Sequence, residues 1–462
     1  MKTAVPTNKV FEHAGSSIMV RGFVQAIRVQ SKIIFVIVRD INGLVQIIVS
    51  KDGATDANAA ASAGENALFE IAKNLSVESV VAVSGKVKKA EQAPGGAEID
   101  AEQIEVLSAA APELPIPVVT KKGGEETEAP TRFDFRWIDL RKPEKALIFK
   151  VWTELERGFR EFWHKNNFIQ LYTPSFMNTA SETGASVFKV KYFDGVAYLA
   201  QSPQFYKQMG IASGLERVFI VGPVFRAEES FTTRHLTEFT GWDFEVGYIE
   251  SHHDLMDLEE GMIISGFETV KKAFENLPAS AGAAQISSLE IPKQPFPRIP
   301  IVEAKKILAE KGVPSDEEHD LSPEEERAIS EHVKQTHGHD FVFITDYHKS
   351  KSAFYHMRHP AEGEPSDGHG SDRSKRADLL YRGIEITTLA QREHRIDILE
   401  KQAIEKSMDL KPLEDYLNFF RYGCPPHGGG GIGPGRLVMR ILGLSNVREA
   451  TYLPRDVKRL RP

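Results

Sequence analysis

Three arginines and a run of glycines are the residues of this chain whose types and spacing most clearly suggest chemistry. An apolar run over 218–225 is closed by Phe225-Arg226-Ala227-Glu228. A loop then carries Arg234-His235-Leu236-Thr237-Glu238-Phe239, and the chain returns in a second apolar run over 239–248. Two strands joined by such a loop form a cationic hairpin. A guanidinium is a rigid fork that pairs well with phosphate and carboxylate oxygens, so the hairpin is a candidate grip for anions. Further on, Gly428-Gly429-Gly430-Gly431-Ile432-Gly433-Pro434-Gly435 lets a backbone pass close to a flat ligand and then delivers Arg436. Each arginine alone would fit a surface ion pair. Three of them between these glycines and phenylalanines fit a binding site better.

The elements that must position these groups can be read in outline. Residues 17–25, 32–40 and 43–50 are short β-rich runs, with Asn42-Gly43 as a tight turn. The alanine-rich stretch 54–73 is helical in character. Two more strands follow at 77–88 and 97–107, joined through Ala93-Pro94-Gly95-Gly96. Five strands with a helix between the third and fourth is the order of an OB-fold, a barrel that commonly binds oligonucleotides. Residues 109–130 are rich in Ala, Pro, Gly and Glu and read as a linker or hinge. The predicted division is therefore an OB-fold domain over 1–108, a linker over 109–130 and a second domain over 131–462. That second domain begins with a helix over 146–166 and a strand over 168–174, has a helix over 251–276, and carries a charged helical insertion at about 277–341. It closes with strands at 341–346 and 380–388 and a glycine-led strand entering a helix over 431–442. The class predicted is multidomain α+β, its larger domain built on a mainly antiparallel sheet flanked by helices. The sequence contains neither a Rossmann nor a P-loop fingerprint, so a nucleotide site here would be of another type.

Bulk properties narrow the classes. With 462 residues, two or three domains can each bury a core. No apolar run is long enough to span a bilayer, and Met1-Lys2-Thr3-Ala4-Val5-Pro6 lacks the apolar centre of a signal peptide. The single cysteine, Cys424, excludes an intrachain disulfide framework and a cysteine-based zinc cluster. Together these point to the cytoplasm and no membrane partner. The net charge of −8 argues mildly against nucleic-acid binding. A local patch suffices for phosphate contacts, however, and Lys86-Val87-Lys88-Lys89 and Lys121-Lys122 are candidates.

The arginine hairpin and the glycine-led arginine resemble motifs two and three of the class II aminoacyl-tRNA synthetases, and their surroundings resemble the aspartyl-tRNA synthetases of archaeal and eukaryotic type. The resemblance runs along nearly the whole chain. It implies two steps: an amino-acid carboxylate attacks the α-phosphorus of ATP, and the 3′-terminal ribose of tRNA then attacks the activated carbonyl. The first step brings two anions together, so it needs cations, Mg2+ and positioning more than a proteinaceous base.

By the same resemblance, Arg226 and Arg436 are the catalytic arginines. Arg226 would hold the α-phosphate and the amino-acid carboxylate together. Glu228 and Phe239 would place the adenine, Arg234 and His235 the outer phosphates, and Arg436 the far face of the adenine and the γ-phosphate. Asp378, Glu385 and Thr388 would serve Mg2+, which takes oxygen donors. The spacing of the two acids is odd, which on an ideal strand would put them on opposite faces, so a bend at Arg382-Gly383 is required. Glu182, Gln204, Lys207, Asp243, Thr388 and Arg392 would join Arg226 around the aspartate, with Lys207 and Arg392 facing its side chain and Glu182, Asp243 and Gln204 its ammonium. An asparagine pocket would gain nothing from burying two cations. Pro174 matches a proline at the family's homodimer interface. In the barrel, Phe35 matches the aromatic on which an anticodon base stacks, with Arg28 and Gln30 as candidate hydrogen-bonding partners. Phe35 fits a barrel core equally well.

The chain departs from the family at Leu389-Ala390, Pro434-Gly435, Ser352-Ala353 and the loop 362–376. The resemblance implies an aspartate–tRNA ligase acting on tRNA(Asp), with tRNA(Asn) left open as a second acceptor. The alternatives are an asparagine–tRNA ligase and an inactive RNA-binding paralogue.

Overall fold

In the computed structural model, residues 3–51, 64–119, 124–179, 187–275, 286–315, 317–365 and 368–462 are described. They form two compact units, 1–146 and 147–462. In the first, strands β1 (Ser17–Val29), β2 (Ile33–Arg39) and β3 (Leu44–Ser50) precede helix α1 (Gly64–Lys73), and β4 (Val80–Lys89) and β5 (Ala97–Ser108) follow it. The strands close into the barrel that the sequence predicts, in the order β1-β2-β3-β5-β4. Along β2, Ile34, Val36 and Val38 point into the barrel core with Val20, Val45, Ile47 and Val83. Strict alternation then puts Phe35 on the outer face. Phe35 is half-buried and stands opposite the exposed Arg28 of β1. The structure thus places Phe35 outside the barrel core.

The predicted linker carries structure of its own. Ile116 and Val118 are buried with Ile138, between Leu114 and Phe135. Two short helices follow, α2 (Ala129–Asp134) and α3 (Arg136–Asp139), and the buried Arg136 pairs with Asp139 at 2.8 Å. Residues 131–146, expected with the larger domain, accordingly fall in the unit that contains the barrel.

Helix α4 (Pro143–Lys165) leads into the second unit, where Leu147, Ile148, Val151, Leu155, Phe159 and Trp163 recur at helical spacing and fill one buried stripe. Strands β6 (Ile169–Gln170), β7 (Phe176–Met177), β8 (Lys189–Tyr192) and β9 (Gly195–Leu199) follow, then α5 (Gln204–Ala212), β10 (Arg217–Phe225), β11 (Glu238–Gly247) and α6 (His252–Ala273). Ser251 starts α6 with a full capping box, its hydroxyl and the Asp254 carboxylate satisfying backbone N–H groups at the helix start.

The predicted insertion is not wholly helical. It contains β12 (Arg298–Pro300), which pairs with β13 (Phe341–Thr345) at the sheet edge, besides helices α7 (Ile301–Glu310) and α8 (Pro323–His337). The run expected as one strand at 380–388 is two, β14 (Arg376–Tyr381) and β15 (Glu385–Gln391), joined by a tight turn. In that turn Arg382 and Gly383 both have positive φ, 47° and 77°. The required bend is therefore a strand reversal. Helices α9 (Ile396–Glu405) and α10 (Glu414–Arg421), strand β16 (His427–Ile432) and helix α11 (Pro434–Ile441) complete the unit.

The eight-stranded sheet runs β12-β13-β14-β15-β16-β11-β10-β6, antiparallel except at its two edge pairs. Strand β16 lies between β11 and β15 with almost no room: a Cβ on Gly429 would come within 2.0 Å of the Phe244 carbonyl oxygen. The glycines therefore permit sheet closure, and the carbonyls of Gly429 and Gly430 become acceptors for buried cations.

Candidate active site

Alternation along β11 sets up the site. Trp242, Phe244 and Val246 enter the core that α4 and α6 cover, while Asp243 and Glu245 take the other face. A cavity of about 1040 Å³ opens on that face. It is lined by Arg226, Glu228, Arg234, His235, Phe239 and Arg436, the residues expected around a nucleotide. Gln204, Lys207, Asp243, Glu385, Thr388 and Arg392 line it too. Residues separated by more than 230 positions in the chain thus face one space. Glu182 lies outside the described residues. Pro174 is exposed and away from the cavity lining, and Arg28, Gln30 and Phe35 belong to the barrel unit.

One end of the cavity is a buried charge lattice. Lys207, 1% exposed, donates to Asp243 Oδ1 at 2.8 Å and to the Gly430 carbonyl at 3.0 Å. Arg392, 3% exposed, donates to both oxygens of Glu245, at 2.9 and 3.3 Å, and to the Gly429 carbonyl at 2.8 Å. Glu245 also lies 3.6 Å from Lys207 Nζ. Burial alone would raise the Glu245 carboxyl; Arg392 and Lys207 overcome that and hold it below the usual range. Two cations are therefore matched by two carboxylates. Lys207 and Arg392, expected to face a substrate carboxylate, are each paired with a protein carboxylate, and sequence reasoning missed one of those two, Glu245. Its signal was present: it stands two residues from Asp243, on the same face of one strand.

Such a lattice is able to discriminate ligands by hydrogen-bond polarity. Lysine and arginine carry donors only. A ligand group that meets both must accept on each of its atoms, as a carboxylate does. A carboxamide would turn its NH2 toward donors, and the nearby acceptor Glu245 is already engaged by Arg392.

Behind this end runs a second network. Gln204 donates its amide N–H to Gln208 Oε1 at 2.9 Å, and the Tyr416 hydroxyl donates to the same oxygen at 3.0 Å. The Gln208 amide nitrogen lies 2.9 Å from His427 Nε2, and His427 Nδ1 lies 2.9 Å from the Pro425 carbonyl. These contacts assign His427 the tautomer protonated at Nδ1, and burial pushes its pKa down to about 4. With its nitrogen fixed on Gln208, Gln204 is left presenting a carbonyl oxygen, which suits an ammonium.

At the other end, Arg226 lies over the Phe239 ring, 5.5 Å from its centroid, and its Nε reaches the Gln201 carbonyl at 3.4 Å. Among the described residues no carboxylate pairs with it, so the surface ion-pair reading does not hold for this arginine. Arg234 differs. Its NH1 donates to both oxygens of Glu326, at 2.8 and 2.6 Å. Glu326 comes from α8, within the predicted insertion, and burial pushes its pKa up to about 7. His235 Nδ1 sits 2.8 Å from the Thr232 hydroxyl; burial, then Arg436, lower its pKa and favour a neutral ring.

The strand reversal at 382–383 brings the two acids together. Asp378 and Thr388 are direct register partners, and the Thr388 hydroxyl lies 2.8 Å from Asp378 Oδ1 and 3.3 Å from Glu385 Oε1. Arg376, also missed from sequence, holds Asp378 at 2.6 and 3.1 Å. Burial, with the Glu385 charge beside it, raises the Asp378 pKa in spite of Arg376. Two carboxylates and a hydroxyl form a hard oxygen donor set, and the donor set fits Mg2+. Of the departures from the family, Ser352, Ala353 and Gly435 line the cavity. Leu389 packs in the core and Ala390 is fully buried beside Gly429, while Pro434 opens α11 at a position where the missing N–H has no cost.

Residues 128–457 match the family "tRNA synthetases class II (D, K and N)", and residues 18–107 match "OB-fold nucleic acid binding domain". Among curated proteins, the chain is 38% identical to the aspartate–tRNA(Asp/Asn) ligase of Aeropyrum pernix, over 97% of this chain and 96% of that one. It is also 38% identical to the aspartate–tRNA(Asp) ligase of Pyrococcus abyssi, over 97% of each. Among solved structures, asparaginyl-tRNA synthetase from Pyrococcus horikoshii complexed with asparaginyl-adenylate superposes with a TM-score of 0.86 at 35% identity, covering all of both chains. The matched length, the closed barrel and the arginine-lined cavity on an antiparallel sheet agree: the chain belongs to the class II tRNA synthetases of the D, K and N group.

Proposed function

We infer that this chain is an aspartate–tRNA ligase, which joins L-aspartate to the 3′ end of tRNA(Asp) at the expense of ATP, releasing AMP and diphosphate. The observation that carries this reading is the donor-only pair Lys207 and Arg392, buried on Asp243 and Glu245 at one end of the cavity. The curated relatives named above support the same amino acid.

In the mechanism, the aspartate side chain accepts from Lys207 and Arg392, while its ammonium meets the Gln204 carbonyl and Asp243. Glu182 is assigned to the same ammonium by its motif. The α-carboxylate then points along the cavity toward Arg226, which holds it against the α-phosphate of ATP. The adenine lies between Phe239 and Arg436, with Glu228 at its edge, and Arg234 and His235 face the outer phosphates. Arg234 must then exchange or share its partner Glu326. Asp378, Glu385 and Thr388 would hold Mg2+, which supplies positive charge to the phosphates when bound. The protein's own contribution is alignment of two anions against fixed cations.

tRNA(Asn) is a second acceptor to test, because the Aeropyrum pernix relative is named for both tRNAs. Charging purified tRNA(Asp) and tRNA(Asn) with the pure protein decides it. Aspartylation of tRNA(Asp) is expected, and failure to charge either RNA would overturn the reading.

In the barrel, Phe35, Arg28 and Gln30 form the proposed anticodon face. Stacking one base is worth roughly 1–3 kcal/mol. Phe35→Ala should therefore weaken tRNA use about ten- to a hundredfold while leaving aspartate-dependent exchange of diphosphate into ATP unchanged. Equal loss in both assays would show that Phe35 acts through barrel stability instead.

The chain is proposed to work in the cytoplasm, where its substrates meet; no helix among the described residues is long and apolar enough to cross a membrane. It is also proposed to act as a homodimer through the segment ending at Pro174. Ile169, Tyr172 and Phe176 are exposed there, Tyr172 by 86%, and a two-fold interface would cover each of them twice. Light scattering should give twice the mass of one chain, and a fully active monomer at nanomolar concentration would refute the assignment.

A further inference from the structure

A cluster of histidine and carboxylate groups stands apart from the synthetase site. His252 opens α6, Asp346 follows β13, and His359 lies further along the chain. Their candidate ligand atoms all lie within 4.8 Å of one another. His359 Nε2 is 2.7 Å from Asp346 Oδ1, and His252 Nε2 is 3.5 Å from the same oxygen. His252 is 3% exposed; its Nδ1 has no hydrogen-bond partner, and its Nε2 has only the long approach to Asp346 at 3.5 Å. A buried imidazole left this way is costly unless something binds it.

The carboxylate is held in place for such a role. Asp346 is a non-glycine residue in the left-handed region, with φ 59°. Its Oδ2 accepts from the Thr345 hydroxyl at 2.6 Å, which leaves Oδ1 to face both histidines. An oriented ligand of this kind is typical of metal sites. The neighbouring cation does not compete for it, because Arg298 is engaged by Asp257, Glu260 and His253. His359 and Asp346 keep about 30% and 28% of their side chains exposed, which gives an ion and a water a way in.

We propose that His252, Asp346 and His359 bind a divalent transition metal of the zinc type, with water completing the coordination. Two imidazoles and one carboxylate suit zinc, and three protein ligands leave a position open. Tetrahedral ligands at about 2.0–2.2 Å from zinc lie roughly 3.4 Å apart, so the 2.7 Å His359–Asp346 pair must open by about 0.7 Å and the widest pair, within 4.8 Å, must close by up to about 1.4 Å, with movement of the His359 proton to Nδ1. A cation is disfavoured at a helix N-terminus, but that repulsion is small beside three coordinate bonds. The bound metal would staple the first turn of α6 to the end of β13 and to the segment that carries Tyr355 and His356 of the cavity lining.

The test uses the tag-free full-length protein, stripped with a chelator and titrated with Co2+ in excess Mg2+, which occupies the Asp378–Glu385 site. A visible Co2+ spectrum saturating at a single equivalent is expected, and it should persist in Glu385→Gln. His252→Ala and His359→Ala should each weaken Co2+ binding by more than about 100-fold, since even outer partners of metal ligands are worth 10- to 100-fold. Zn2+ should raise the thermal midpoint of the native protein and not of a folded His359→Ala. No spectrum, one unchanged in His359→Ala, or one lost only in Glu385→Gln would overturn the proposal.

Discussion

Arg392→Leu should remove aspartate activation while leaving ATP binding measurable. Arg392 is buried, paired with Glu245 through two nitrogens and anchored on the Gly429 carbonyl. Its loss strands the Glu245 carboxylate beside Lys207 alone and takes away one of the two donors for the substrate side chain. Truncating one partner of a buried charge pair costs roughly 2–5 kcal/mol, which is about 30-fold to several thousandfold in aspartate-dependent exchange. Lys207→Leu should behave alike. Arg392→Lys, which keeps the charge and loses the fork, should fall between. Near-native activation at low aspartate in either leucine variant would mean that the substrate side chain lies elsewhere.

Arg226→Ala should act on the chemical step. Arg226 is a cavity arginine with no described carboxylate in ion-pair contact, and it is set against Phe239 at the open end of the hairpin. Its charge is therefore available to two anions as they approach. Removing one preorganised donor to developing charge typically costs 10²–10³ in kcat, and a cationic arginine in phosphoryl chemistry more, so a loss of about 10³ in exchange is expected. The loss should fall on kcat more than on the KM for aspartate, because Lys207 and Arg392 still hold the side chain. A variant that changes only KM would place Arg226 in ground-state binding alone.

How far the sequence discloses this site depends on the kind of residue. Arg226, Arg234, Arg436, Lys207 and Arg392 sit in locally distinctive runs, and the fold brings all five to one cavity. The five barrel strands were equally legible, because alternation and turn residues are local signals, and of the helix expected over 54–73 the part Gly64–Lys73 is helical while 54–63 lie outside the described residues. Glu245 was missed although it alternates with Asp243, because a lone acid in a strand carries no motif. Glu326 was missed for a stronger reason: it reaches Arg234 from 92 positions away, out of a region read only as charged and helical. The same limit applies to Arg376, whose role depends on the strand reversal that places Asp378 opposite Thr388. The linker reading of 109–130 rested on composition, and composition does not show that Ile116 and Val118 will find Ile138.

On the proposed assignment of Lys207 and Arg392, the charge lattice also changes the basis of amino-acid choice. Counting cations from the sequence favours a carboxylate by net charge. With Asp243 and Glu245 in place, that count is balanced, and the preference rests on donors facing acceptors. Discrimination of this type leaves the wrong ligand with unpaired buried groups, which is costly.

The most direct test of this account is exchange of labelled diphosphate into ATP by the pure protein, driven in parallel by aspartate and by asparagine without tRNA. Aspartate should drive exchange, and asparagine at equal concentration should give a rate at least about 10³ lower, as expected when buried polar groups are left unpaired. Exchange driven equally well by asparagine would contradict the assignment of Lys207 and Arg392 as the groups that choose the amino acid.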